Sequence, residues 1–143
     1  MVFDTNVLIY AVDELSPFHD RCRAQVQEAR DDPAPAFLTW SICYEFLRVT
    51  THPRAAVTPR QPDDAWGFLS SLLESPGFEI LVPTPRHASV LAQTLAELPD
   101  VRGNVFHDLH TAVAMRENGV SEICTRDAGF HRFPFLTVVD PLH

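Results

Sequence analysis

Five short apolar runs set the fold class of this chain: VFD (2–4), AFLT (36–39), EILV (79–82), EICT (122–125) and LTVV (136–139). Each is close to continuously apolar, the pattern of strands covered on both faces. The segments between them carry helix start and stop signals. TNVLIYAVD (5–13) follows the first run directly, and Ser16-Pro17 opens FHDRCRAQVQEAR (18–30), which DDPAP (31–35) ends. Ser41 is placed to cap ICYEFLRVTT (42–51), which stops before Pro53. PDDAWGFLSSLLES (62–75) and RHASVLAQTLAEL (86–98, after Thr84-Pro85) read as helices. So does VFHDLHTAVAMREN (105–118), with Gly119 in the C′ position. Strands alternating with helices predict an α/β fold built on a parallel sheet with helices on both faces. At 143 residues the expectation is one domain, 1–143.

In such a sheet, ligands gather outside the carboxyl ends of the strands, where the strand order reverses. Acids fall at those places. Asp4 closes the first run, and Asp127 lies two residues past EICT. Glu45 sits about one turn into the helix after the second run, and Asp108 lies in the first turn of the last helix. If the first and fourth strands are neighbours, the carboxylates share one crevice. Clustered like charges repel unless a cation neutralises them. Oxygen-only ligands suit Mg²⁺ or Mn²⁺, and two such ions about 3.5–4 Å apart can activate water and stabilise the leaving oxygen of a phosphodiester. Each acid also has a plainer reading. Asp4 can merely cap the helix that follows, Glu45 can pair with Arg48, Asp108 can answer a helix dipole, and Asp127 can serve a turn.

Charge leaves the partner open. The formal net charge is −8 and every one of the 11 basic residues is Arg. An acidic total disfavours indiscriminate nucleic-acid binding, without excluding an enzyme whose carboxylates hold cations. The stretch RVTTHPRAAVTPR (48–60) has Arg48, Arg54 and Arg60 and no acid, and is the best edge for steering phosphate. A solvated loop with one arginine paired to Glu45 is the plainer reading. Cys22, Cys43 and Cys124 lack CxxC spacing and read as reduced core thiols, which points to a cytoplasmic setting. No apolar run reaches the roughly 20 residues of a membrane span, and no basic segment precedes VLIYAV as a secretory leader would require. His107 and His110 flank Asp108 without an HExxH pattern or a Cys/His quartet, so packing or support of the acids is the expectation. Trp40 and Trp66 are expected in the core, and Phe130, Phe133 and Phe135 to seal the last strand.

MVFDTN, WSICYEFLRVTTHPR, GNVFHDLHTAVAM and ICTRDAGFHRFPFLTVVDPL together resemble the PIN-domain ribonucleases, and among them the VapC toxins of toxin–antitoxin pairs. The likeness runs through essentially the whole chain in the family's order. It implies a five-stranded parallel sheet in the order 3-2-1-4-5, and assigns Asp4, Glu45, Asp108 and Asp127 to Mg²⁺ or Mn²⁺ binding and catalysis. Asn6 and Thr125 match positions that support the site by hydrogen bonding. Thr5 is placed to offer its N–H or hydroxyl to a carboxylate. Leu109 departs from the smaller residue of many relatives, a change of packing. The implied reaction is RNA hydrolysis leaving a 5′-phosphate and a 3′-hydroxyl, and the implied partners are a VapB-like antitoxin and a second copy in a homodimer. Rival readings are a phosphatase of the haloacid-dehalogenase type, which wants a second Asp where Asn6 stands, an HD-type phosphohydrolase on a mainly helical fold, and an α/β binding module whose acids only cap helices.

Overall fold

The computed structural model describes residues 1–56 and 58–143, so Val57 of the arginine-bearing stretch lies outside the described residues. Strands β1 (Val2–Phe3), β2 (Ala36–Leu38), β3 (Phe78–Ile80), β4 (Glu122–Cys124) and β5 (Thr137–Val139) form one parallel sheet in the order β3-β2-β1-β4-β5. Helices α1 (Thr5–Val12), α2 (His19–Asp31), α3 (Trp40–Thr51), α4 (Pro62–Leu73), α5 (His87–Glu97) and α6 (Val105–Glu117) connect them. Val2, Phe3, Ile123 and Cys124 on the central strands have no exposed surface, as strands covered on both faces require.

The order reverses at β1. From it the chain steps to β2 and β3 on one side, and returns to lay β4 and then β5 on the other. In register, Val2 pairs with Ile123 and Phe3 with Cys124. The carboxyl ends of β1 and β4 are therefore abreast, which is the neighbour relation the acid pattern needed. Around this sheet α1 packs on α2 and α3, α3 on α4, and α5 on α6.

Several boundaries differ from expectation for local reasons. The cap of α3 is Thr39, whose Oγ1 accepts from the Ile42 N–H at 3.2 Å; Ser41 lies inside the helix and its hydroxyl bonds Thr39 instead. Ser16 accepts from the Phe18 N–H at 3.1 Å, a turn that delays α2 to His19. β3 starts one residue early and ends at Ile80, leaving Val82 53% exposed beyond the sheet. A 3-10 turn over Ala128–Arg132, capped by Asp127, went unrecognised in the sequence because five residues are too few for a periodic signal. Trp40 and Trp66 are not core residues: they are 47% and 44% exposed. Both lie on helices whose other faces already supply the core through Ile42, Phe46, Ala65 and Leu69. Phe130 and Phe133 are buried, with Phe135 partly covered against them. The three cysteines are free and buried, and burial pushes the Cys43 thiol up to about 11 and that of Cys124 to about 12.

The end of α6 confirms the glycine signal. Gly119 has φ 71°, its N–H bonds the Arg116 carbonyl and the Val120 N–H bonds that of Met115, the paired bonds of a Schellman stop. Gly77 matters through space instead. A Cβ there would stand 2.0 Å from the Ala29 carbonyl oxygen and 2.7 Å from that of Arg30, where the end of α2 passes the start of β3. Gly77→Ala should therefore cost on the order of 3 kcal/mol in urea unfolding. Gly67→Ala, inside α4 with nothing within 4 Å of the new methyl, should instead stabilise by about 0.5–1 kcal/mol. Equal effects would contradict this packing.

Candidate active site

At the switch point Asp4 ends β1 and caps α1 at once. Its Oδ1 accepts the Thr5 N–H at 2.8 Å. Its Oδ2 accepts the Thr125 hydroxyl at 2.6 Å and the Asn6 amide at 2.9 Å. Asn6 also reaches Thr125 at 3.0 Å, and its oxygen accepts the Arg126 N–H at 3.1 Å. The two readings of Asp4, helix cap and strand-exit acid, are thus not exclusive. Three donors occupy about three of a carboxylate's four lone-pair directions and fix its plane.

The other acids arrive from separate elements. Glu45 comes from α3 and accepts the Thr5 hydroxyl at 3.1 Å, so Thr5 serves one carboxylate with its backbone and another with its side chain. No Glu45–Arg48 ion pair forms among the described residues. Asp108 stands in the first turn of α6. Asp127 follows β4, its N–H bonding the Thr125 hydroxyl at 3.0 Å and its Oδ1 capping the 3-10 turn through the Gly129 N–H at 2.8 Å. Asp4, Glu45, Arg48, His107, Asp108 and His110 line one cleft of about 850 Å³, with Ser41, Tyr44, Asn104 and Thr111. Asp127 is not on that lining, but its charge reaches Asp108.

The electrostatics record this crowding. Burial lifts the Asp4 carboxyl from 3.8 to about 6, and the charges of Glu45 and Asp108 push the same way, against the hydrogen bonds from Thr125 and Thr5. Asp108 is raised first by burial, then by Asp127 and also by Glu45, while Arg132 and His107 draw it down. Among the described residues no three His, Cys, Asp or Glu side chains stand close enough together to hold a metal ion between them. The acids border an open cleft, and Mg²⁺ commonly takes only one or two carboxylates, completing its shell with water and phosphate. An all-oxygen set under mutual repulsion fits such an ion.

Arg54 stands apart, on the exposed turn after α3, where its N–H bonds His52 Nδ1. Arg60 is committed elsewhere: its guanidinium bonds the Val12 carbonyl at the end of α1. Of the basic stretch, Arg48 is the residue on the cleft. Tyr44, 70% exposed, and Asn104 were not singled out from sequence, although each neighbours a noted feature, Glu45 and the start of α6.

The PIN domain profile matches residues 1–136. The chain belongs to the PIN-domain family. Within that family it is similar to the VapC ribonucleases. It is 32% identical to Ribonuclease VapC33 of Mycobacterium tuberculosis, over 97% of this chain and 96% of that protein. It is 29% identical to Ribonuclease VapC48 of the same organism, over 97% and 95%. PIN-fold likeness extends to VapBC2 from Rickettsia felis, bound to a DNA fragment from their promoter (TM-score 0.65, 16% identity, 97% of this chain and 98% of that one). It also extends to M. tuberculosis VapC20, a Sarcin-Ricin loop cleaving toxin (TM-score 0.62, 14% identity, 92% and 94%). The sheet order of this PIN domain is the one its sequence resemblance implied. No described helix is long and apolar enough to cross a membrane.

The raised Asp4 carboxyl has a stability consequence. The folded protein holds this proton more tightly than the unfolded chain, so the contribution is full below about 3.8 and is lost as pH rises through about 6. The stability difference between Asp4→Asn and wild type should therefore move in the variant's favour by up to about 3 kcal/mol between pH 4 and 7.5. Urea unfolding in EDTA measures it; a difference independent of pH would contradict the burial and crowding described here.

Proposed function

We infer that this PIN domain is a metal-dependent endoribonuclease and the toxin of a VapBC-type pair. The observation that carries the reading is the gathering of Asp4, Glu45 and Asp108 on one cleft, with the charge of Asp127 reaching Asp108, in a chain similar to VapC ribonucleases over nearly its whole length. Asp4, Glu45, Asp108 and Asp127 would hold Mg²⁺ or Mn²⁺, which when bound supplies Lewis acidity, neutralises the phosphate and brings water to attacking form. The chain's own groups set the geometry. Thr5, Asn6 and Thr125 hold the Asp4 and Glu45 carboxylates in place, so little reorganisation is needed as charge builds on the phosphate. Arg48 faces the same cleft and offers a fork to a phosphate oxygen.

The same anionic cleft suggests how the enzyme is silenced. A VapB-like antitoxin inserting a basic side chain, most naturally Arg, would pair with the carboxylates and compete with the cation. The structural neighbours that include VapBC2 support such a partner. A homodimer is the accompanying proposal, and exposed Trp40 and Trp66 offer apolar surface for either contact.

The deciding experiment incubates antitoxin-free protein with structured RNA in Mn²⁺ or in EDTA. Internal cuts that need the metal and disappear in both Asp4→Asn and Asp108→Asn, with melting retained, are expected. Undiminished cleavage by both variants would end the assignment, and phosphate release from small esters without RNA cutting would favour a phosphatase. Arg48→Ala should weaken RNA binding several-fold and lower its salt slope by about one, with a smaller effect from Arg54→Ala. Unchanged binding in both variants would return the whole stretch to a solvated loop.

A further inference from the structure

Glu117, at the end of α6, is the acidic residue that lies buried among the described residues, its side chain without exposed surface. A carboxylate removed from water persists only if it is hydrogen-bonded. Here the Thr84 N–H donates to Oε1, and His87 Nδ1 bonds Oε2. Burial acts to raise the Glu117 carboxyl, but these partners outweigh it and hold it below the ordinary range. The carboxylate is thus an acceptor that commits His87 Nδ1 to donating and fixes the ring's rotation.

That ring stands against one that lines the cleft. The His87 and His110 imidazoles meet edge to face, with centroids 6.0 Å apart and planes at 83°. His110 lines the cleft with Asp4, Glu45 and Asp108. Glu117 follows His110 by two turns of one helix, and His87, at the start of α5, touches both. Joining α5 to α6 does not by itself call for this arrangement. Arg116 and Glu97 already make a two-pronged bond between these helices at 2.8 and 3.1 Å, and Arg86 bonds the Glu117 carbonyl at 2.6 Å. A buried ionic group adds little net stability over an apolar one. What Glu117 and His87 supply, and an apolar contact would not, is a fixed orientation for the ring beside them.

We propose that Glu117 and His87 are positioning residues, a buried carboxylate–imidazole pair that holds the His110 ring in the cleft wall, where His110 donates a hydrogen bond to the RNA phosphate being cut. This rests on the nuclease reading of the cleft. His110 is the residue that touches substrate; the other two act through it.

The test uses the full chain with Mn²⁺ and a labelled RNA that the wild type cuts. Glu117→Gln keeps an acceptor for the Thr84 N–H, and His87→Gln keeps an amide against Glu117 while removing the ring. His110→Ala should lower kcat on the order of 10²-fold with KM little changed. Each positioning variant should lower kcat about tenfold. The double variant His110→Ala/His87→Gln should be no slower than His110→Ala, because nothing remains to be positioned. Losses that multiply, or that follow melting temperature alone, would overturn the proposal and leave Glu117 as a tie between helices. A second measurement needs no cleavage: the imidazole NMR resonances of His110 in RNA-free protein should shift in Glu117→Gln and in His87→Gln. Unmoved resonances overturn the proposal even if the wild type proves inactive. A wild type that cuts no RNA while those resonances shift overturns the phosphate contact together with the nuclease reading.

Discussion

Everything at the candidate active site depends on the parallel pairing of β1 with β4. The Asp4 N–H donates to the Cys124 carbonyl at 3.0 Å, and Phe3 and Cys124 stand opposite each other. That register places Thr125 beside Asp4, so the hydroxyl of one and the carboxylate of the other meet at 2.6 Å with Asn6 closing the triangle. A slip of one residue would turn every side chain to the opposite face of the sheet. Phe3 and Ile123 would leave their packing, and Asp4 would lose Thr125 together with its place in the cleft. The fully buried residues of these two strands hold the register, and the register holds the site.

The site works against the fold that carries it. Asp4 is half-buried near Glu45 and Asp108, and its carboxyl rises to about 6, first through loss of water and then through their charge. Asp108 is raised in turn by burial and by Asp127. Such strain persists only where the surroundings over-determine it. Here the donors Thr5, Asn6 and Thr125 supply that constraint, with Arg132 and His107 lowering the cost at Asp108. Under the proposed function, a divalent cation held among these carboxylates would remove the repulsion. Glu117 is the contrasting case in the same molecule, a buried carboxylate whose partners are all protein groups.

Legibility in the sequence follows the range of the interaction. Apolar runs separated by helix signals were enough for the α/β sheet, because burial on both faces leaves a local trace in Val2, Phe3, Ile123 and Cys124. The acids were legible because each sits at a strand's exit or in a helix's first turns. The strand order itself came from family resemblance, since nothing local says that β4 returns beside β1. Thr39 rather than Ser41 caps α3 because two neighbouring hydroxyls compete and backbone geometry decides. Trp40 and Trp66 were misplaced by their size, which says nothing of which helix face they occupy. The bond between His87 and Glu117 had no sequence signal at all, as it joins positions on two helices that only tertiary packing brings together.

The central claim is that carboxylates from β1, α3, α6 and the segment after β4 share one divalent cation site. Anomalous diffraction from crystals of the antitoxin-free protein grown with Mn²⁺ tests it most directly. The account predicts a manganese peak within about 2.0–2.6 Å of carboxylate oxygens of Asp4 and Asp108. A fully loaded crystal with manganese bound only elsewhere on the surface, and no peak in this cleft, would contradict it.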